Sequence, residues 1–318
     1  MAVESIEHTF GEVSWRRVTF PLPTGPRHVH CYLVRADDGW LLVDTGLGQP
    51  PGEHRWEEIR AAIGGELAGI VITHFHPDHV GGAERAAEIT GAPVHQGELD
   101  YAQCELVWGS PDWPDRIAAW FVRNGVPRVV AHELIELGHA FAPFVRYARD
   151  PRLLRAGDRV GGWEVVAMPG HADGHICLLR ESVLVAGDHL LAKITPAVGL
   201  YPESRPDPLG DYLESLERTA ALGLGLVLPG HGEPIDDPAG RAREIVEHHR
   251  RRLDDTAAAL GPEPKTGYEV SLVVFGRELS PTTRRFAVAE TLSHLERLVR
   301  EGRARRREDG RTITYTGP

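Results

Sequence analysis

Four apolar runs in this chain each end in a short loop carrying histidine or aspartate, and in three of them the ligand-type residue follows a glycine directly. Gly69–Thr73 runs into His74-Phe75-His76-Pro77-Asp78-His79, and Trp163–Met168 leads to Gly170-His171. Val183–Ala186 leads to Gly187-Asp188, and Leu226–Leu228 to Gly230-His231. Short aliphatic runs bounded by turn residues read as buried strands. Strands laid side by side bring such loops to one edge of a sheet. A glycine just before the polar residue permits a tight turn and close backbone approach.

A lone histidine is usually a surface or hydrogen-bonded side chain. Four ligand-type residues within six positions, joined by three loops of the same strand–glycine–ligand form, call for another explanation. Neutral imidazole and carboxylate are what borderline divalent metals such as zinc prefer. Seven candidates, His74, His76, Asp78, His79, His171, Asp188 and His231, exceed what one tetrahedral ion needs. They suit two ions sharing a bridging carboxylate and a bridging hydroxide.

The pattern His74-x-His76-x-Asp78-His79, then His171, Asp188 and His231, resembles the binuclear motif of the metallo-β-lactamase fold superfamily, over about residues 13–240. The resemblance implies an α/β fold, an αββα sandwich with the metals at one edge. It implies that His74, His76 and His171 hold one ion, that Asp78, His79 and His231 hold the other, and that Asp188 bridges them. Asp44, in its Asp-Thr-Gly turn, matches the early Asp that supports the metal loop from behind. Zinc is the expected metal, with iron or manganese as alternatives. The best-known zinc β-lactamases carry Cys at the position of Asp188, and diiron redox relatives carry Glu at that of His76. Lactam hydrolysis and redox chemistry are therefore disfavoured, and a hydrolytic, glyoxalase-II-like pattern remains. No match to the glutathione-binding region of glyoxalase II itself is seen. Asp78 and Asp188 are the catalytic candidates: Asp78 to orient the nucleophile, Asp188 to fix both ions.

The rest of the chain frames this site. Strand-like segments Val13–Phe20, Val29–Arg35 and Trp40–Val43 precede helical spacing at Trp56–Ile63 and Val80–Thr90. Residues 97–155 hold eight of the 22 aromatics, broken by prolines into short helices. They read as an insert, either a lid or a subdomain that packs on the body. Helices are expected at about Pro208–Leu222, Ala239–Leu260, Tyr268–Phe275 and Thr282–Glu301, then a hairpin turning at Asp309-Gly310. Residues 1–240 thus read as a catalytic domain and 241–318 as a winged-helix-like module, similar to the tail of β-lactamase-like-2 proteins. Some of those proteins are endoribonucleases and others thioesterases.

The formal charge is −11, which argues against a general nucleic-acid or anionic-membrane binder. It is uneven: residues 241–318 hold 16 basic and 12 acidic side chains, the preceding 240 hold 19 and 34. Three cysteines are too few for a disulfide framework, no apolar run approaches a membrane span, and Met1–Phe10 is not a signal peptide. A cytoplasmic protein is expected, with a homodimer through the C-terminal module as one arrangement. Among other histidines, His175 is a candidate support for the ligands and His189 points away from them. His248 and His249 look solvated on an Arg-rich helix. His54, His95, His132, His139 and His294 have no ligand partners by spacing, and Cys177 reads as core.

Two functions compete. The first is hydrolysis of a small-molecule thioester, ester or lactone, with the aromatic insert walling an acyl chain. The second is an endoribonuclease holding RNA through Arg284, Arg285, Arg303, Arg305, Arg306 and Arg307. A metal-loaded interaction module is a third, disfavoured by the complete ligand set.

Overall fold

A computed structural model describes residues 6–23, 25–48 and 67–318. The expected helix Trp56–Ile63 and His54 lie outside the described residues.

Seven strands form the first sheet in chain order: β1 (His8–Phe10), β2 (Val13–Pro21), β3 (His28–Ala36), β4 (Gly39–Val43), β5 (Leu67–Ile72), β6 (Val94–Gly97) and β7 (Arg152–Leu154). The first four pair antiparallel, and β4 to β7 pair parallel. The second sheet has the order β12-β11-β10-β9-β8, from β8 (Arg159–Val160), β9 (Trp163–Ala167), β10 (Ile176–Arg180), β11 (Val183–Gly187) and β12 (Leu226–Pro229).

The period-two alternation of the strands decides the layers. Tyr32, Val34, Val71, Ile176, Leu178, Val183, Val185, Leu226 and Leu228 meet in one buried core between the two sheets. The residues between them point the other way. Cys31, Leu33, Ile70 and Ile72 pack beneath helices α2 (Ala83–Thr90) and α3 (Glu98–Trp108). Cys177, Leu184, Ala186 and Val227 pack beneath α6 (Pro208–Ala221) and α7 (Pro238–Ala258). Burial on both faces is why these strands read as unbroken apolar runs. The result is the expected αββα sandwich. At about 25 cal/mol per Å2 of apolar surface buried, these facing layers supply the main stabilisation.

Between the sheets' helices lies the insert: α3, then α4 (Trp113–Arg123) and α5 (Arg128–His139). Cys104, Tyr101 and Trp108 of α3 pack onto the outer core of the first sheet. Trp113, Ile117, Phe121, Leu134 and Ile135 instead share a core with the C-terminal segments α8 (Gly267–Val274), α9 (Pro281–Arg300) and the strand β15 (Ile313–Thr316). The insert therefore joins the body to the C-terminal part. α7 begins at Pro238 and covers the second sheet, so this helix straddles the boundary drawn at residue 240. A third sheet pairs β13 (Lys265–Thr266), β15 and β14 (Arg305–Glu308) in the order β13-β15-β14, with the hairpin turn near Asp309-Gly310.

Three helix starts are written as a capping residue followed by proline. Asp207, Asp237 and Ser280 each accept a backbone N–H three residues on, with Pro208, Pro238 and Pro281 at the first helical position. The expected helix Val80–Thr90 is instead two, α1 (Pro77–Val80) and α2, separated by Gly81-Gly82. A Cβ on Gly81 would come within 2.3 Å of the Pro77 carbonyl oxygen, so this close turn requires glycine. Among the described residues, no helix is long and apolar enough to cross a membrane.

Candidate metal centre

All seven expected ligands meet at one edge of the sandwich. His74 to His79 follow β5, His171 follows β9, Asp188 follows β11 and His231 follows β12. Their donor atoms form three overlapping groups, His74/His76/His171, His74/His79/Asp188 and Asp78/His79/His231, each with its atoms within 4.8 Å of one another. Asp188 lies between the two expected ligand sets: its carboxylate is 3.7 Å from His171 Nε2, 3.5 Å from His79 Nε2 and 3.3 Å from His231 Nε2. Asp78 approaches His231 Nε2 at 3.4 Å.

The chain fixes which nitrogen of each ring faces this space. His171 Nδ1 donates to the Ala197 carbonyl at 2.8 Å, and His231 Nδ1 to the His28 carbonyl at 2.6 Å. His79 Nδ1 donates to Asp44 Oδ2 at 2.7 Å. The Thr73 hydroxyl donates to Asp44 at 2.8 Å, so its oxygen accepts from His74 Nδ1 at 3.0 Å. In all four rings Nδ1 is held from behind and Nε2 points inward, as in carboxylate–histidine–metal arrangements. His76 is turned the other way, its Nδ1 3.0 Å from His74 Nε2. Ligands on one tetrahedral zinc stand about 3.3 Å apart, given bonds of about 2.0–2.1 Å, so these spacings match.

Unpartnered atoms and charge both point to a cation. His79 Nε2, His171 Nε2 and Asp188 Oδ1 are buried without a hydrogen-bond partner among the described residues, a costly state unless something else binds them. Burial, with the neighbouring rings, keeps His74 neutral well below the usual histidine range, and burial holds His76 down to about 3. Burial likewise lowers His171. The other half is the reverse. Burial alone would raise Asp188 and Asp78, but His231 and His79 hold Asp188 well below the carboxylate range and His79 with His231 lowers Asp78. Against the pull of burial, Asp188 raises His231 to about 10, and Asp188, Asp44 and Asp78 raise His79 well above its usual value. Positive charge is wanted beside Asp78 and Asp188, and the neutral rings of His74, His76 and His171 converge next to it. The donor set fits divalent metal.

The strand-end glycines are required by close approach. A Cβ on Gly230 would lie 2.6 Å from Asp188 Oδ1 and 2.7 Å from His79 Cε1. Gly170, at φ +135°, would drive its Cβ to 2.3 Å from that of Tyr212. Asp44, itself in the left-handed region at φ +62°, also receives the Thr73 N–H at 2.8 Å, so one buried carboxylate braces both ends of the metal loop. Thr45 completes the clasp, its hydroxyl donating to the His79 carbonyl at 2.7 Å.

The remaining histidines fall differently. His175 makes no hydrogen bond to a ligand; its ring stacks on His74, centroids 4.8 Å apart, and so supports that ligand by packing. His189 points away, its Nε2 2.7 Å from the Thr219 hydroxyl. The expectation that His249 is solvated is wrong. It is fully buried with His294 between α7 and α9, Nδ1 to Nε2 at 3.2 Å, because α9 covers that face of an otherwise Arg-rich helix. Cys177 is buried core.

Sequence reasoning missed the grip on Phe75. Buried Asp100, in the first turn of α3, accepts the Phe75 N–H at 2.9 Å and the Gln96 side-chain amide at 2.6 Å. Trp108, at the far end of the same helix, donates its Nε1–H to the Phe75 carbonyl at 2.8 Å. The insert thus clamps the peptide between His74 and His76. No spacing rule links Asp100 to that loop.

The profile of the metallo-beta-lactamase superfamily matches residues 24–231. The chain belongs to the metallo-beta-lactamase superfamily. A second profile, metallo-beta-lactamase-like, C-terminal domain, matches residues 253–316. Among similar proteins is a probable metallo-hydrolase, YqjP, of Bacillus subtilis, 29% identical over 320 residues, covering 94% of this chain and 96% of that one. A metallo-beta-lactamase family protein from Thermus thermophilus superposes with a TM-score of 0.83 at 35% identity, over 96% of this chain and 98% of that one. A beta-lactamase domain protein from Burkholderia ambifaria gives 0.85 at 28% identity, over 100% and 96%. Superfamily membership and the C-terminal match extend the likeness beyond the metal edge to the whole length of the chain.

Proposed function

We propose that this superfamily member is a binuclear metallo-hydrolase acting on a thioester, ester or lactone of a small molecule. The observation that carries the reading is Asp188, whose carboxylate lies within 3.3–3.7 Å of imidazoles from both ligand sets. His74, His76 and His171 would hold one ion, and Asp78, His79 and His231 the other. The likeness to a protein named a probable metallo-hydrolase supports hydrolysis. Bound divalent ions supply a nucleophilic water at neutral pH and polarise the scissile carbonyl.

The chain's own residues do the rest. The Nδ1 anchors on Asp44, Ala197 and His28 keep the rings from turning, so the donor atoms stay preorganised. Asp78 is the more exposed of the two carboxylates, its side chain 21% accessible against 11% for Asp188. It is placed to accept a proton from the attacking water while Asp188 stays between the ligand sets. A thiolate leaving group is stable near neutral pH, so a thioester needs little general-acid help from the side chains here.

Three of the six arginines expected to hold RNA are engaged within the chain, which weighs against that role for them. Arg284 is buried, donating to the Gly276 carbonyl and near Ser271. Arg303 is paired with Asp254 and Glu301, and Arg306 with Glu296 and Glu308. Paired cations release few counterions and so add little phosphate affinity. The deciding experiment is a hydrolysis screen of thioesters, esters, lactones, phosphodiesters and RNA with zinc-reconstituted protein, alongside elemental analysis. Thioester or ester turnover with near two metal equivalents is expected. RNA cleaved faster than any ester, or a limit of one ion in saturating zinc, manganese and iron, would overturn the proposal.

A further inference from the structure

Beside the metal loop, α3, α4, α5 and α9 enclose a slot lined by Trp108, Trp113, Pro114, Ile117, Ile135 and Arg285. Its enclosed part is small, about 30 Å3, and with the open space at its mouth the total is roughly 300 Å3. Trp108 ties it to the centre, since the same indole donates to the Phe75 carbonyl between His74 and His76. The walls are aromatic and aliphatic, with one exception. Arg285 is half-buried, its Nε is shielded from solvent, and its guanidinium has no hydrogen bond or ion pair among the described residues. Its neighbour Arg284 shows the usual solution, with carbonyl and hydroxyl acceptors around it. The Arg285 Nε is enclosed without an acceptor while the terminal nitrogens stay accessible, so the guanidinium fork is open to an anion that a ligand supplies.

Resting on the hydrolase reading, we propose that this slot is a substrate-recognition subsite that takes a short apolar arm ending in a carboxylate, with Arg285 as its counter-ion. The slot offers one positive charge in otherwise apolar walls. A planar monoanion is matched by one guanidinium, whereas a phosphate dianion is left half-compensated in a chain of formal charge −11. Arg285 is then a specificity residue contributed by the C-terminal part, which packs on the insert through α4 and α5.

The test is calorimetric titration of the zinc-loaded, full-length protein with 4-phenylbutanoate, 4-phenylbutanol, acetate and phenyl phosphate, repeated on Arg285→Met and Arg285→Lys. Expected is 4-phenylbutanoate binding at least tenfold tighter than the alcohol or acetate, about 1.4 kcal/mol. Arg285→Met removes that advantage at unchanged metal content, and Arg285→Lys restores part of it. Unchanged binding by Arg285→Met would place the carboxylate on the metals and overturn the subsite. Acetate or the alcohol binding equally well would remove the apolar arm or the charge from the proposal. Phenyl phosphate binding more tightly would overturn the carboxylate. Turnover of a neutral hexanoyl thioester by the unaltered protein checks the hydrolase reading separately. Its absence alongside Arg285-dependent binding sinks that reading alone, and its presence without such binding sinks the subsite alone.

Discussion

Asp44 Oδ2 accepts the Nδ1–H of His79 at 2.7 Å while its other oxygen takes the Thr73 N–H at 2.8 Å. One carboxylate at the end of β4 therefore orients a ligand and the strand end that carries the next one. Asp44→Asn puts an amide where an acceptor is needed and frees the His79 ring to turn. Metal affinity is expected to fall by about 10–100-fold, the usual cost of losing such a partner. Competition against a chromophoric chelator measures it; unchanged affinity would remove Asp44 from the support of the centre.

Asp188 and His175 are both buried beside His74, but only Asp188 reaches rings of both ligand sets. Asp188→Ala is expected to lower metal content and abolish hydrolysis. His175→Phe keeps a flat ring against His74 and should retain metal and most activity. Equal metal loss in both, read by elemental analysis, would contradict the division of roles.

Asp100 uses one oxygen for the Phe75 N–H and the other for the Gln96 amide. Asparagine accepts through only one of them, so Asp100→Asn leaves a buried donor unpaired at a cost of about 1–3 kcal/mol. A lower urea midpoint together with weaker metal binding is the expected pair of effects. Stability loss with metal affinity intact would make Asp100 a fold residue only.

The buried pair His249 and His294 gives a pH signature away from the metals. Burial holds His294 down to about 4 and His249 to about 2. Unfolded, each titrates near 6.5, so below that pH the unfolded chain binds protons the fold refuses. Stability from this pair is complete above about 6.5 and falls as pH drops toward 4, by about 1.4 kcal/mol per unit for each group. Urea midpoints at pH 7 and 5 should differ less in the His249→Leu/His294→Leu variant than in the parent; an equal acid loss would mean the pair does not titrate this way.

The ligand types and the strands that carry them were legible in the sequence as local pattern, and the sandwich was expected only through the family resemblance that this pattern carries. The strands are buried on two faces and so appear as apolar runs, and each ends directly in its ligand loop, as Leu226–Pro229 does at Gly230-His231. The helix starts at Asp207, Asp237 and Ser280 are written in two letters each. What the tertiary structure alone decided are relations between residues far apart along the chain. The Nδ1 acceptors of His171 and His231 are backbone carbonyls 26 and 203 residues away, and any residue type offers a carbonyl. The burial of His249 depends on which helix covers α7, and the hold on Phe75 on where α3 docks. Local residue types announce what can bind a metal. The direction of each ring nitrogen and the acceptors left wanting at Arg285 arise only when distant surfaces close on one another.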